Sequence, residues 1–216
     1  AVNVDFYEGL AKRYYGLIIL RSHAALREGE PVVDIFTNEK YKENQHVSEQ
    51  QAGLLTVAYY SPQFFPDKVN ETYFAITPKF IETLQESFPK SVVIAMGCDT
   101  MNETAPGLAQ AFIAKGAKMY IGWTGLVGYS RSDNQTIELV RRLLVENKTL
   151  NDAHTDGLYD ATWGSTMKYY PPEAGNMRIS DLISKAKSSI AAKIVAENFE
   201  PQFLWVKDER FQVRVR

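Results

Sequence analysis

The sequence predicts an α/β fold built on a mainly parallel central sheet. Three short apolar runs, at 17–20, 91–96 and 118–123, have the continuous hydrophobicity of strands that are buried on both faces. Amphipathic helical patterns separate the second run from the third and follow the third, and such strand–helix alternation implies right-handed crossovers between parallel strands. With 216 residues, 45% of them hydrophobic, the chain is long enough to bury one sizeable core.

The first half of the chain predicts a helix, then a strand at 17–20 and a hairpin-like pair at 31–37. A polar stretch follows, and strands are predicted at 54–60 and 73–76. Thr77-Pro78 predicts a helix start, because the threonine hydroxyl can cap the helix and proline suits its first turn.

The second half predicts a helix from about Thr104 to the C-cap at Lys115-Gly116, and another that begins at the capping box Ser132-x-x-Gln135. The pattern beyond residue 147 is weaker and predicts helices at 151–170 and 180–198 and a terminal hairpin from 203–206 and 211–215. We therefore expect one domain over 1–216, with its core in 1–147 and with 148–216 completing it.

Composition and charge exclude several classes of function. The 24 basic and 26 acidic residues nearly balance, so nothing in the charge favours a nucleic-acid partner. No apolar run approaches the roughly 18 residues of a membrane span, so we expect no membrane insertion. The single cysteine, Cys98, excludes an internal disulfide and a multi-thiolate zinc site, and no cofactor motif occurs, so we expect neither metal nor cofactor.

Four N-glycosylation sequons, more than the roughly one expected by chance from average composition, favour a secreted or cell-surface location. They begin at Asn70, Asn102, Asn134 and Asn147. The sequence leaves the oligomeric state open.

Two reactive side chains follow predicted core strands. His23 comes after the first apolar run and Cys98 after the second, and ligands of parallel sheets bind beyond the carboxyl ends of the strands. A cysteine nucleophile needs a neighbouring imidazole, Gly97 permits a sharp turn before the sulfur, and the small Ala24 permits close approach of backbone N–H groups to an oxyanion. A lone cysteine is also common as a small buried hydrophobe.

The segments Ser22-His23-Ala24 and Gly97-Cys98-Asp99-Thr100 carry a resemblance when they are taken with the helix that follows and with the Gly-Ala-x-x-x-x-Gly-Trp pattern at 116–123. Together they resemble clan CD cysteine peptidases, the group of caspases, gingipains, clostripain and CHAT domains, and the CHAT pattern is the most similar. The resemblance covers about residues 15–125. It implies a caspase-hemoglobinase-like three-layer sandwich and a cysteine endopeptidase acting on polypeptide substrates.

The resemblance also implies roles for individual residues. His23 would be the general acid/base and Cys98 the nucleophile, with backbone N–H groups at Ala24 and Cys98 forming the oxyanion hole. Two features depart from the family pattern: Ala24 replaces the usual glycine, and the 75-residue separation of His23 from Cys98 points to an insertion at about 31–60.

The segment that would bind the substrate side chain is 123–133. By resemblance, Trp123 would form a pocket wall. Asp133 or Asp99 could bind a basic side chain, and Arg131 an acidic one, whereas Asp133 could instead cap the helix that follows it.

Two other functions remain open from the sequence. A catalytically inactive caspase-like surface or interaction module would keep the fold and use its aromatic surface for binding, without catalysing a reaction. A glutamine-amidotransferase-like enzyme would pair Cys98 with the downstream His154-Thr155-Asp156, although the Gly-x-Cys-x-Gly pattern of such nucleophiles is absent.

Overall fold

Two β-sheets organise the chain in the computed structural model, which describes residues 2–154 and 158–182 and the backbone of 204–207. The strands are β1 (Leu17–Arg21), β2 (Ala24–Leu26), β3 (Val33–Lys40), β4 (Leu55–Tyr59), β5 (Thr72–Ile76), β6 (Val92–Ala95), β7 (Met119–Trp123), β8 (Tyr159–Asp160), β9 (Ser165–Tyr170) and β10 (Leu204–Lys207). The larger sheet has the order β10-β1-β6-β7-β9-β8 and the smaller one β2-β3-β5-β4.

The larger sheet is mixed. Strands β10, β1, β6 and β7 run parallel to one another, whereas β9 is antiparallel to both β7 and β8. The predicted α/β class with parallel core strands is therefore confirmed, with two antiparallel strands added at one edge. The smaller sheet is antiparallel throughout.

The helices are α1 (Val4–Glu8), α2 (Val47–Gln51), α3 (Pro78–Thr83), α4 (Gly107–Ala114), α5 (Tyr129–Val140), which continues into a π-turn at Arg141–Val145, and α6 (Leu150–Ala153). The predicted cap of α3 forms, because the Thr77 hydroxyl accepts a hydrogen bond from the Phe80 N–H at 3.3 Å. In the part of the chain that the structure describes, no helix has both the length and the apolarity that a membrane crossing requires.

Alternate residues of the central strands pack on opposite faces of the larger sheet. Ile18 and Val93 pack on one face with Phe112 of α4, and Ile19 and Ile94 pack on the other with α5. Helices therefore cover both faces, and the central strands are buried on both sides, as their unbroken apolar runs predict.

The prediction of a helix over 151–170 is wrong for most of its length. Helix α6 ends at Ala153, and β8 and β9 form an antiparallel hairpin around Gly164, whose φ of +65° lies in the left-handed region. In β9 the buried Ser165 and Met167 alternate with less buried neighbours, which is the period of a strand. The continuous run of polar and aromatic residues hid this alternation.

The helix predicted from Ser132 begins earlier, at Tyr129, with Gly128 as its N-cap. The Ser132 hydroxyl is used inside the protein instead, because it donates to Met96 O at 2.9 Å and accepts from Trp123 Nε1 at 3.0 Å. Of the predicted terminal hairpin, the first strand is present as β10, paired in parallel with β1. The second strand, at 211–215, and most of the helix predicted over 180–198 lie outside the described residues.

Candidate active site

His23 and Cys98 lie at the carboxyl ends of two neighbouring parallel strands. His23 follows β1 and Cys98 follows β6, and the two strands pair along their length. Both residues line a cleft of about 640 Å³ and a smaller cavity of about 30 Å³ beside it. The topology therefore brings together the two reactive side chains that the sequence singles out.

Gly97 permits the close approach of the two segments. A Cβ at this position would lie 2.6 Å from Ser22 O and 2.8 Å from Ala24 N, so the backbones on either side of His23 touch the residue before Cys98. The same Cβ would lie 3.0 Å from the Cβ of Ala24. Because Gly97 has no side chain, there is room for the methyl group of Ala24, the position at which the resemblance leads us to expect glycine.

The Ala24 N–H points away from β3. Because the Phe36 N–H donates to His23 O and the Arg27 N–H to Val32 O, the pair Ala24–Ile35 between them is a non-hydrogen-bonded pair of the β2–β3 ladder. Its N–H is therefore directed to the side of β2 on which Gly97 packs.

The Cys98 thiol is held by the segment between β7 and α5. The Val127 N–H donates to Cys98 Sγ at 3.5 Å, and Val127 O lies 3.9 Å from the sulfur as an acceptor for the thiol proton. Burial raises the pKa of the thiol; the Val127 N–H opposes this shift, and the charges of Asp99 and Asp160 add to it. The raised pKa favours the neutral thiol over the thiolate.

We expect this to show in alkylation. A free cysteine has a pKa near 8.5, so a raised pKa leaves less than about 3% thiolate at pH 7. The rate of Cys98 modification by iodoacetamide is expected to rise with pH through a midpoint above that of a short cysteine peptide with blocked ends, measured in parallel. A midpoint below pH 7 would instead show a preformed thiolate–imidazolium pair.

The His23 ring lies in an aromatic cluster that sequence reasoning missed. Its edge-to-face neighbours are Tyr60, Phe65 and Tyr129, with ring centroids 5.1, 5.6 and 5.4 Å away. The Tyr129 hydroxyl lies 3.4 Å from His23 Nε2. The only signal in the sequence is the aromatic-rich stretch at 59–65, which says nothing about where these rings fold.

The segment after Cys98 is fastened to β7. The Thr100 hydroxyl donates to Ala95 O and Gly97 O, both at 3.0 Å, and accepts from the Trp123 N–H at 3.1 Å. A Cβ on Gly122 would lie 2.4 Å from Thr100 Oγ1, so glycine is required for this contact. The turn that carries Cys98 is therefore held in place by Thr100, Gly122 and Trp123. All three belong to the segments that resemble clan CD peptidases.

Three of the residues considered for substrate binding are placed differently from the expectation. Trp123 is fully buried in the core and does not form a wall of the cleft, because it shares the inward face of β7 with Met119 and Ile121. Asp133 lies within α5 and forms a bidentate ion pair with Arg21, at 2.8 and 2.9 Å, so it is neither free for a basic substrate nor a helix cap. Arg131 is exposed and is not among the residues that line either cavity.

Asp99 does line the cleft. Its φ of +60° lies in the left-handed region, and its carboxylate accepts a hydrogen bond from Asn102 Nδ2 at 3.0 Å.

Among the described residues, no group of three or more histidine, cysteine and carboxylate side chains could hold a metal ion.

His154 makes its contacts away from Cys98. It follows α6, its ring packs edge-to-face on Tyr169 at 5.4 Å, and Nε2 is hydrogen-bonded to Met167 O. It is not among the residues that line either cavity, while Thr155 and Asp156 lie outside the described residues. These contacts give no support to an amidotransferase arrangement.

Arg27 and Asp34 form a bidentate pair on the cleft wall, with both distances 2.9 Å. Burial raises the pKa of Asp34, and the Arg27 guanidinium opposes this shift. A raised pKa in the folded state gives stability that is present below the unfolded value near 3.9 and is lost as the pH rises through the folded value.

Arg27→Ala is therefore expected to cost about 2 kcal/mol at pH 8, because the buried carboxylate loses its partner, and much less at pH 4. Urea unfolding at both pH values measures the difference. Arg141→Ala, which removes exposed ion pairs with Glu138 and Glu146, is the control and should cost less than about 1 kcal/mol. Equal losses for Arg27→Ala at the two pH values would show that Arg27 acts through packing alone.

Comparison of the chain with protein-family models, with curated proteins and with solved structures gives no match. The proposed function therefore rests on the geometry of the cleft.

Proposed function

We propose that this chain is a cysteine endopeptidase of the caspase-like type, with His23 and Cys98 as its catalytic dyad and a three-layer caspase-hemoglobinase-like fold. The observation that carries the proposal is that His23 and Cys98 line the same cleft at the ends of adjacent parallel strands. The parallel core strands and the helices on both faces of the sheet are compatible with the proposed fold.

In the proposed reaction, His23 takes the Cys98 thiol proton as the sulfur attacks the substrate carbonyl carbon. The tetrahedral intermediate collapses, the C–N bond breaks, and His23 returns the proton to the departing amine. Water then attacks the thioester, with His23 again as base, which releases the acid and restores the thiol. The 30 Å³ cavity lined by both residues has room for a water molecule.

The backbone supplies the donors for the developing oxyanion. The Ala24 N–H, which is not used in the β2–β3 ladder, lies beside Gly97, and the N–H of Cys98 is close enough to the sulfur to oppose the rise in the thiol pKa that burial causes. Two such donors in a partly buried cleft stabilise a tetrahedral oxyanion more strongly than water does.

The test is hydrolysis of a panel of fluorogenic peptide amides. We expect the native chain to cleave some of them and Cys98→Ala to cleave none, with an unchanged circular dichroism spectrum as the control for folding. Cleavage by Cys98→Ala at the native rate would overturn the proposal. So would a result in which neither protein cleaves any peptide of the panel.

An inactive interaction module is the second candidate, and the neutral, Val127-bound thiol is the observation that favours it. Such a module would bind peptides in the cleft without cleaving them. Peptide binding by the native chain, with every peptide recovered intact, is the result expected for this candidate.

A further inference from the structure

The cleft around Cys98 collects the apolar surface of the molecule. More than half of the exposed large hydrophobic side chains among the described residues line it. They include Leu26, Val57, Tyr59, Phe64, Leu126 and Trp163, each between 41% and 59% exposed. Apolar patches of this kind on a protein surface mark binding sites, whereas single exposed hydrophobes do not.

Two separate parts of the chain contribute most of the patch. One wall is β4, the edge strand of the smaller sheet, with the segment to Phe65 that follows it, and the other is the Leu126–Tyr129 segment that holds Cys98. Phe64 and Trp163 meet edge-to-face, with centroids 5.7 Å apart, at the lip of the cleft. The volume of about 640 Å³ falls within the range of about 300–1,000 Å³ that is usual for ligand sites.

The two arginines at the walls are paired with carboxylates, whereas Asp99 is hydrogen-bonded to a neutral amide and not to a cation. Arg27 neutralises Asp34, Arg21 neutralises Asp133 beside the smaller cavity, and Asp99 accepts from Asn102. Glu28 lies on the exposed rim. An acidic side chain inside the cleft would meet the carboxylates of Asp99 and Glu28, and any charged side chain would lose water against mainly apolar walls, whereas a bulky apolar side chain would gain by burial.

We infer that the cleft selects polypeptide segments whose side chain at the reacting carbonyl is large, apolar and uncharged, with aromatic residues favoured. The inference names the substrate class of the proposed peptidase and rests on that function for its catalytic readout. The aromatic rings around His23 and the apolar walls supply the recognition, and the carboxylates of Asp99 and Glu28 add repulsion of acidic residues.

Two measurements test the inference separately from catalysis. Peptide amides that differ only at the residue before the scissile bond, as Phe, Leu, Arg, Lys, Asp or Glu, are compared for kcat/KM with the native chain. The same peptides with uncleavable ends are titrated against Cys98→Ala by calorimetry. We expect Phe and Leu to exceed each charged residue by at least tenfold in both measurements.

Val57→Lys is expected to weaken kcat/KM for the Phe peptide at least fivefold through KM, because it places an ammonium group on the apolar wall. Val145→Lys is the matched control, since Val145 is 79% exposed and is not among the cleft residues. Preference for Arg, Lys, Asp or Glu would overturn the inference and leave the peptidase intact. Tighter binding of Phe and Leu peptides without cleavage would support apolar selection and overturn the peptidase, while neither binding nor cleavage would overturn both.

Discussion

His23→Ala is expected to lower kcat by about 10²–10⁴-fold on the peptide that the native chain cleaves fastest, the usual range for loss of a general acid–base group. The reason lies in the state of the thiol: burial raises the pKa of Cys98, so a base must remove its proton as the sulfur attacks. Without the imidazole, only the small thiolate fraction reacts, and the departing amine receives no proton. Steady-state kinetics between pH 5 and pH 10 measures both consequences.

The pH profile separates a catalytic role of His23 from a structural one. In His23→Ala, kcat/KM should rise tenfold per pH unit up to the pKa of the thiol, because the thiolate population alone sets the rate. His154→Ala is the control: its ring packs on Tyr169 rather than in the cleft, and its kinetics should match the native chain. A His23→Ala profile parallel to that of the native chain, with kcat within threefold, would contradict the dyad.

The parts of this site that follow from local pattern were predictable. Unbroken apolar runs predict the two buried strands, and the chain leaves each strand at a reactive residue, so His23 and Cys98 had to approach one edge of the sheet. The burial of Trp123 could also have been predicted from its place in the strand. It has the same parity as Met119 and Ile121 on a strand buried on both faces, which excludes a position on the cleft wall.

The rest depends on contacts between residues far apart in the chain. Arg21 pairs with Asp133 across 112 positions, and the rings of Tyr60 and Phe65 reach His23 from the segment after β4. Hydrophobic periodicity fixes which residues are buried within an element, but it carries no information on which side chains of other elements they meet. The pairing of Arg21 with Asp133 and of Arg27 with Asp34 could therefore not be predicted from the sequence.

Gly97→Ala is expected to have the second large effect, and it tests the backbone contact between the two segments that carry the proposed dyad. The new methyl group would lie 2.6 Å from Ser22 O and 2.8 Å from Ala24 N, and these backbone atoms cannot rotate away as a flexible side chain could. The segments on either side of His23 must then separate from Cys98, at a cost of about 2–3 kcal/mol in the free energy of unfolding. A displacement of about 1 Å at a reacting pair lowers the rate roughly 10²-fold.

The chain offers a matched control for this substitution. Gly16 precedes β1, has nothing within 4 Å of its Cβ position, and should accept alanine with a change below about 1 kcal/mol and unaltered kinetics. Adding Ala24→Gly to Gly97→Ala removes the methyl contact at 3.0 Å but leaves both backbone contacts, so this double variant should recover little activity. Urea unfolding and peptide hydrolysis, measured on all three variants, separate lost stability from lost geometry. A folded, fully active Gly97→Ala would show that the approach of Ser22–Ala24 to Gly97 is not what positions His23 against Cys98.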